Sequence, residues 1–88
     1  MSAQLSIVAP TPERPSARAS RLMAEARAAA REQVEVLEQA MADVIAKANE
    51  IGEGGDAYAP GVRDLCRRLA EEVAQRGQTL TAIARSSH

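Results

Sequence analysis

Apolar residues recur along the chain with the period of a helix. In the first half they follow alternating steps of about four and three residues, the heptad spacing of helices that pack against a partner. Further apolar residues flank this seam, so the stripe is wide enough for the buried side of a bundle. The pattern predicts one long amphipathic helix whose seam consists of Met23, Ala30, Val34, Leu37, Met41, Val44, Ala48 and Ile51.

A second apolar run with the same spacing follows. Arg76 occupies a seam position in it, and the next residue is Gly77, which costs about 1 kcal/mol relative to Ala inside a helix. This pair is the weak point of a second helix that we predict to continue through it. The predicted seam consists of Val62, Cys66, Leu69, Val73, Leu80 and Ile83.

Prolines and glycines divide the chain. Three of the four prolines lie in residues 1–15, which predicts a flexible arm. Gly52 directly follows the first seam, where a left-handed residue is expected to end the helix, and Pro60 suits the first turn of the next one. The predicted elements are an arm over 1–15, a helical hairpin over 16–85 (helices at about 16–51 and 60–85, with a loop at 52–59), and a frayed tail over 86–88.

Composition favours thin helices. Hydrophobic residues make up 45% of the chain, but Phe and Trp are absent and Tyr58 is the one aromatic residue. The fold class is therefore all-α, a hairpin of two long amphipathic helices. A hairpin alone leaves much of both stripes in water, and a chain of this size is marginal. We expect a homodimer that forms an antiparallel four-helix bundle; the alternative is that another protein supplies the missing helices.

Charge and targeting signals point to the cytoplasm. The formal net charge is −1 with 26% charged residues of both signs, so the chain exerts no global pull on nucleic acid or acidic lipid. The single cysteine excludes an intramolecular disulfide and suits a reducing compartment. The sequence contains neither a membrane-length apolar run nor a signal peptide, so no membrane partner is expected.

No catalytic motif emerges. The one histidine, His88, is the last residue, and Cys66 lies on an apolar seam where cysteine acts as a small hydrophobe. The glycine-rich loop lacks the Lys and Ser or Thr of a phosphate loop. We predict no enzyme activity, cofactor, metal or small-molecule substrate. Solvated helix faces account for most of the carboxylates, namely Glu32, Glu35, Glu38, Asp43, Glu50, Asp64, Glu71 and Glu72.

The sequence thus indicates a small protein–protein interaction or regulatory module that acts through a dimeric bundle. The alternative is a nucleic-acid-binding accessory protein with paired basic regions, although it would lack aromatic platforms for bases. Tyr58 either caps the open end of the hairpin over Ile51 and Val62 or anchors a partner. The candidate contacts with a partner or with phosphate are Arg14, Arg18, Arg21, Arg27, Arg31 and Tyr58.

Overall fold

The structure, a computed structural model, describes residues 12–86 and consists of two long helices that pack against each other. Helix α1 spans Pro15–Gly52 (38 residues) and helix α2 spans Pro60–Ser86 (27 residues). A single 3-10 turn, Gly55–Ala57, lies between them. No strand occurs within residues 12–86. Most of the predicted arm and the last two residues of the tail lie outside the described residues.

Pro15 is the first residue of α1. Its ring fixes φ in the helical range, and its missing N–H is one that a first turn leaves unpaired in any case. Arg14 before it is extended, with φ −66° and ψ 147°, as the steric demand of a following proline requires. The last proline of the N-terminal segment therefore starts the helix.

The end of α1 differs from the prediction that Gly52 is left-handed. The left-handed glycine is Gly55, with φ 74°. Gly52 still belongs to the helix, because the N–H of Glu53 continues the helical pattern by donating to the carbonyl of Asn49 at 2.9 Å. Gly52 is buried, and a Cβ there would lie 2.8 Å from Cγ of Arg67. It is needed for the close approach of α2 and not for its backbone freedom.

The contact between the helices is a line of mostly small side chains. Only Ala48 and Ala70, 5% and 4% exposed, form the buried hydrophobic core of residues 12–86. Half-buried residues continue the line on both helices at helical spacing: Val34, Glu38, Met41 and Ile45 on α1, and Arg63, Cys66, Ala74, Gly77 and Thr81 on α2. We call this set, with Ala48, Gly52 and Ala70, the contact line.

Helix α2 is continuous through the weak point. Gly77 is half-buried and faces Met41 of α1. Arg76 beside it is exposed, and its guanidinium lies 3.4 Å from the carboxylate of Glu72 on the same helix. The glycine thus serves the contact line, while the charge at the seam position stays in water.

The two helices are unequal in length, so α1 extends past the end of α2. The hydroxyl of Thr81 donates to the carboxylate of Glu38, which places these residues at the same height. Ser86, where α2 ends, is then level with residue 33 of α1. Residues 15–32 form a segment of roughly 27 Å beyond α2, which we call the overhang.

The contact line predicts opposite effects of alanine at two helical glycines. Gly77→Ala is expected to stabilise the protein by about 0.5–1 kcal/mol, because it removes a helix-interior glycine and its Cβ would meet Cε of Met41 at an ordinary 3.6 Å. Gly52→Ala is expected to destabilise it by about 1–3 kcal/mol through overpacking against Arg67. Chemical denaturation followed by circular dichroism measures both.

Gly61→Ala is the control, because a Cβ at Gly61 has nothing within 4 Å. Its effect should be small and favourable. If Gly52→Ala proved as favourable as Gly61→Ala, the close approach of α2 at Gly52 would be disproved.

Candidate interaction surface

The predicted seam of α1 divides between the contact line and solvent. Val34, Met41 and Ala48 lie on the contact line. Leu37 and Val44 each precede a contact-line residue by one position, and both are exposed, Leu37 by 51% and Val44 by 41%. The hairpin therefore uses one side of a wide apolar stripe and leaves the other side in water.

The same offset occurs on α2. Val62 and Leu69 directly precede Arg63 and Ala70 of the contact line, and both are exposed. Val73 and Leu80 precede Ala74 and Thr81 in the same way and are half-buried, while Cys66 lies on the line and Ile83 is exposed.

Both exposed stripes lie on the same side of the hairpin. Two antiparallel helices are related by a two-fold axis perpendicular to the plane that they share. A position that precedes the contact residue therefore points to the same side on either helix. Together the stripes form one surface, which we call the apolar face. Its members are the exposed Leu37, Val44, Val62 and Leu69 and the half-buried Ile51, Val73 and Leu80.

The overhang continues the apolar face toward the N-terminus. Leu22 and Met23 are 47% and 52% exposed, and Ala30, the next residue of the predicted seam, is exposed too. Ala30 lies one heptad and Met23 two heptads before Leu37, so both residues share its side of α1. No residue of α2 reaches the N-terminal part of this segment, because α2 ends level with residue 33.

The opposite side of the hairpin carries a groove of mixed lining. Apolar residues such as Met41, Ala42 and Ile45 line most of it, and Glu38, Gln78 and Arg85 add polar groups. Glu38 departs from the expectation that the acidic residues occupy solvated faces. It is half-buried on the contact line, where its carboxylate accepts the hydroxyl hydrogen bond of Thr81. A carboxylate fits there because the neighbouring contact residues are small and supply a hydroxyl donor.

Arg21 is held by carboxylates on either side. Its guanidinium lies 3.0 Å from the carboxylate of Glu13 and 3.2 Å from that of Glu25. The hydrogen bond to Glu13, followed by that to Glu25, raises the pKa of Arg21 above its ordinary value. Arg21 is therefore occupied within its own chain.

The other candidate arginines have no ion pair within residues 12–86: Arg14, Arg18, Arg27 and Arg31. Arg27 and Arg31 line a groove at the end of α2 together with Arg85, Ala30 and Val34. Glu35 and Glu38 line the groove too, so it carries both acidic and basic groups.

Tyr58 packs against the connection itself. A Cβ at Gly54 would lie 2.4 Å from Cε2 of the Tyr58 ring, so the ring occupies the space that a side chain at position 54 would need. The carbonyl of Tyr58 accepts a hydrogen bond from Nε of Arg63 at 3.2 Å. The ring remains 41% exposed. Tyr58 therefore contacts Gly54, and the sequence pattern did not indicate this contact.

Few groups of the kinds used in nucleophilic catalysis or metal binding come together within residues 12–86. Cys66 is a free, half-buried thiol on the contact line, and His88 lies outside the described residues. Within residues 12–86, no three His, Cys, Asp or Glu residues come together in a metal-binding arrangement. Neither α1 nor α2 has a stretch long and apolar enough to cross a bilayer.

Comparisons of the chain with protein-family models, with curated proteins and with solved structures find no match. The function is therefore inferred from the surface of the protein.

The bond between Thr81 and Glu38 predicts a difference between two threonines of α2. Thr81→Val is expected to destabilise the hairpin by about 1–3 kcal/mol, because the half-buried carboxylate of Glu38 loses its donor. The free energy of unfolding from urea titration at neutral pH measures the effect.

Thr79→Val is the matched control. The hydroxyl of Thr79 is exposed and donates only to the carbonyl of Gln75 in its own helix, so this variant should differ little from the wild type. Equal effects of the two substitutions would show that the interhelical bond contributes nothing.

Proposed function

We propose that this protein is a non-enzymatic interaction module that works as a homodimeric helical bundle, with the apolar face as its interface. The observation that carries the proposal is that this face extends over both helices. Large aliphatic side chains stay in water along it, while the buried hydrophobic core of residues 12–86 consists of two alanines. Contiguous exposed apolar surface of this kind is typical of interaction sites.

The energetics favour association. Half-exposing a Leu or Val side chain forfeits on the order of 1 kcal/mol relative to full burial. Two alanines cannot offset the conformational entropy of ordering two long helices. Burial of Leu37, Val44, Val62 and Leu69 against a partner supplies the missing apolar contacts. Folding and association are then coupled, as in small helical bundles that do not fold as monomers.

A second copy of the chain is the simplest partner. It presents the same face, and two-fold symmetry is the commonest arrangement of soluble oligomers. Face-to-face packing of two hairpins encloses both apolar stripes, as the predicted antiparallel four-helix bundle does. Such a bundle then presents its polar sides and connecting loops to further partners.

A charge on the apolar face is expected to separate the dimer. Leu37→Glu should turn a protein of twice the 9.3 kDa chain mass into a monomer, because the carboxylate would be desolvated in the interface without a partner. Sedimentation equilibrium at tens of micromolar concentration measures the mass.

Ala46→Glu is the control for Leu37→Glu. Ala46 is exposed on α1 and lies about half a turn from Leu37 around the helix. It should leave the mass unchanged. A wild-type chain that sediments as a folded monomer and does not bind a hydrophobic dye would overturn the proposed dimer.

The second candidate function is nucleic-acid binding through the overhang. The observation that favours it is that Arg14, Arg18, Arg27 and Arg31 have no ion pair within residues 12–86. A dimer would present two such sets, and arginines that contact phosphates bind without reading sequence.

This second function predicts salt-dependent binding. Electrophoretic mobility of duplex DNA and duplex RNA should shift at low salt, and the shift should weaken steeply as salt is raised, because binding releases counterions. Replacing Arg27 and Arg31 together by Gln should weaken the shift. No shift at low salt would rule the second function out.

A further inference from the structure

We propose that the overhang of a second copy lies in the apolar face between α1 and α2, so that the two chains exchange their N-terminal helical segments. The inference rests on the proposed homodimer and defines how its two chains are aligned. In a face-to-face dimer, four helices stack in the middle of the assembly. In the exchanged dimer the assembly has two ends instead, and each end is a bundle of three helices. Each end would consist of the paired parts of α1 and α2 from one chain and the overhang of the other.

The lengths agree. The overhang, residues 15–32, measures roughly 27 Å, and the part of α1 that α2 covers, residues 33–52, measures roughly 30 Å. One segment therefore occupies almost the whole length of the other chain's apolar face. Residue 33 lies near the middle of α1, so a two-fold axis at this point brings both overhangs onto both faces together.

The side chains suit a third helix. The side of the overhang that would contact the other copy consists mainly of alanine, so this helix is thin there. Leu22 and Met23 are the only large apolar residues of the overhang. The apolar face offers larger side chains on both helices, such as Leu37 on α1 and Leu69 on α2. Helix axes approach to about 8–10 Å depending on the side chains at the contact. A thin helix against a wide face satisfies this spacing.

The heptads also fit this alignment. In an antiparallel pair of α1 helices with the axis between residues 33 and 34, Met23 of one copy is level with Val44 of the other. Ala30 is then level with Leu37. Each pair joins positions of the same heptad phase and combines residues of different size, which is how neighbouring core layers fill space.

The other two-fold arrangements leave the overhang in water. In one alternative, the paired parts of the two hairpins stack along their whole length with the loops at opposite ends. Each overhang then projects beyond the loop of the other copy. When the loops lie at the same end, the two α1 helices are diagonal in the bundle and their overhangs do not touch. In both cases Leu22 and Met23 stay as exposed as they are in one chain, 47% and 52%.

Spin-label distances distinguish these alignments. Glu32→Cys and Glu50→Cys, each in a Cys66→Ala background, place one label per chain on the exposed outer side of α1. Exchange predicts an axial separation between the two copies of about 5 Å at position 32 and about 50 Å at position 50. The full stack predicts about 32 Å at position 32 and about 22 Å at position 50, so the order is reversed. Double electron–electron resonance measures both distances.

A short distance at position 32 with a long one at position 50 supports the exchange. The reversed order, or two equal distances from loops at the same end, overturns the exchange and keeps the dimer. The absence of any dipolar coupling, together with a monomer mass, overturns both the exchange and the proposed function. Circular dichroism of each labelled variant verifies that the helices are intact.

A substitution in the overhang gives a second, independent readout. Met23→Glu should raise the dimer dissociation constant about tenfold or more, because the charge would enter the apolar face of the other chain. Ala29→Glu is the control: this exposed residue lies on the side of α1 opposite the contact line, about a third of a turn from Met23, and should leave the constant unchanged. Equal, small effects of the two variants would count against the exchange, whatever the mass of the wild type.

Discussion

The contact between α1 and α2 runs along a single line in which Ala and Gly are interspersed with larger residues, and the remaining features of the molecule depend on it. Because Ala48, Gly52 and Ala70 allow the backbones to approach closely, the line itself buries very little apolar surface. Large side chains one position away, such as Leu37, Val44 and Leu69, remain outside it. A hairpin built in this way leaves much of its hydrophobic surface exposed.

The contact line also has polar members. Glu38 and Thr81 meet across the helices through a hydrogen bond between the Thr81 hydroxyl and the Glu38 carboxylate. Their hydrogen bond satisfies a half-buried carboxylate and sets the heights of the two helices at the end where α2 stops. The overhang begins within about one and a half turns of this bond, so its length follows from the same local packing.

Sequence alone predicts the helical elements well in this chain. The stretch without Gly or Pro before Gly52 and the position of Pro60 place the two helices within about a residue of their observed bounds. It does not predict which side of the apolar stripe faces the partner helix. The apolar stripe on α1 is three heptad positions wide. Its periodicity predicts that large residues such as Leu37 lie at the centre of the contact with α2. The contact in fact centres on the adjacent positions, where Ala and Gly permit the shorter distance. Glu38 and Gly52 are members of the contact line. The sequence indicates them as such only through a search for positions at which two helix backbones can approach closely.

The contact line and the apolar face are offset by one residue along both helices. Neighbouring codons therefore specify different surfaces: Glu38, Ile45 and Ala70 lie between the helices, whereas Leu37, Val44 and Leu69 lie on the exposed face. Either set can vary while the other is held constant. Residues that pack the two helices together and residues that form the exposed face are thus interleaved along the same helices, and a single substitution can address one surface without replacing a residue of the other.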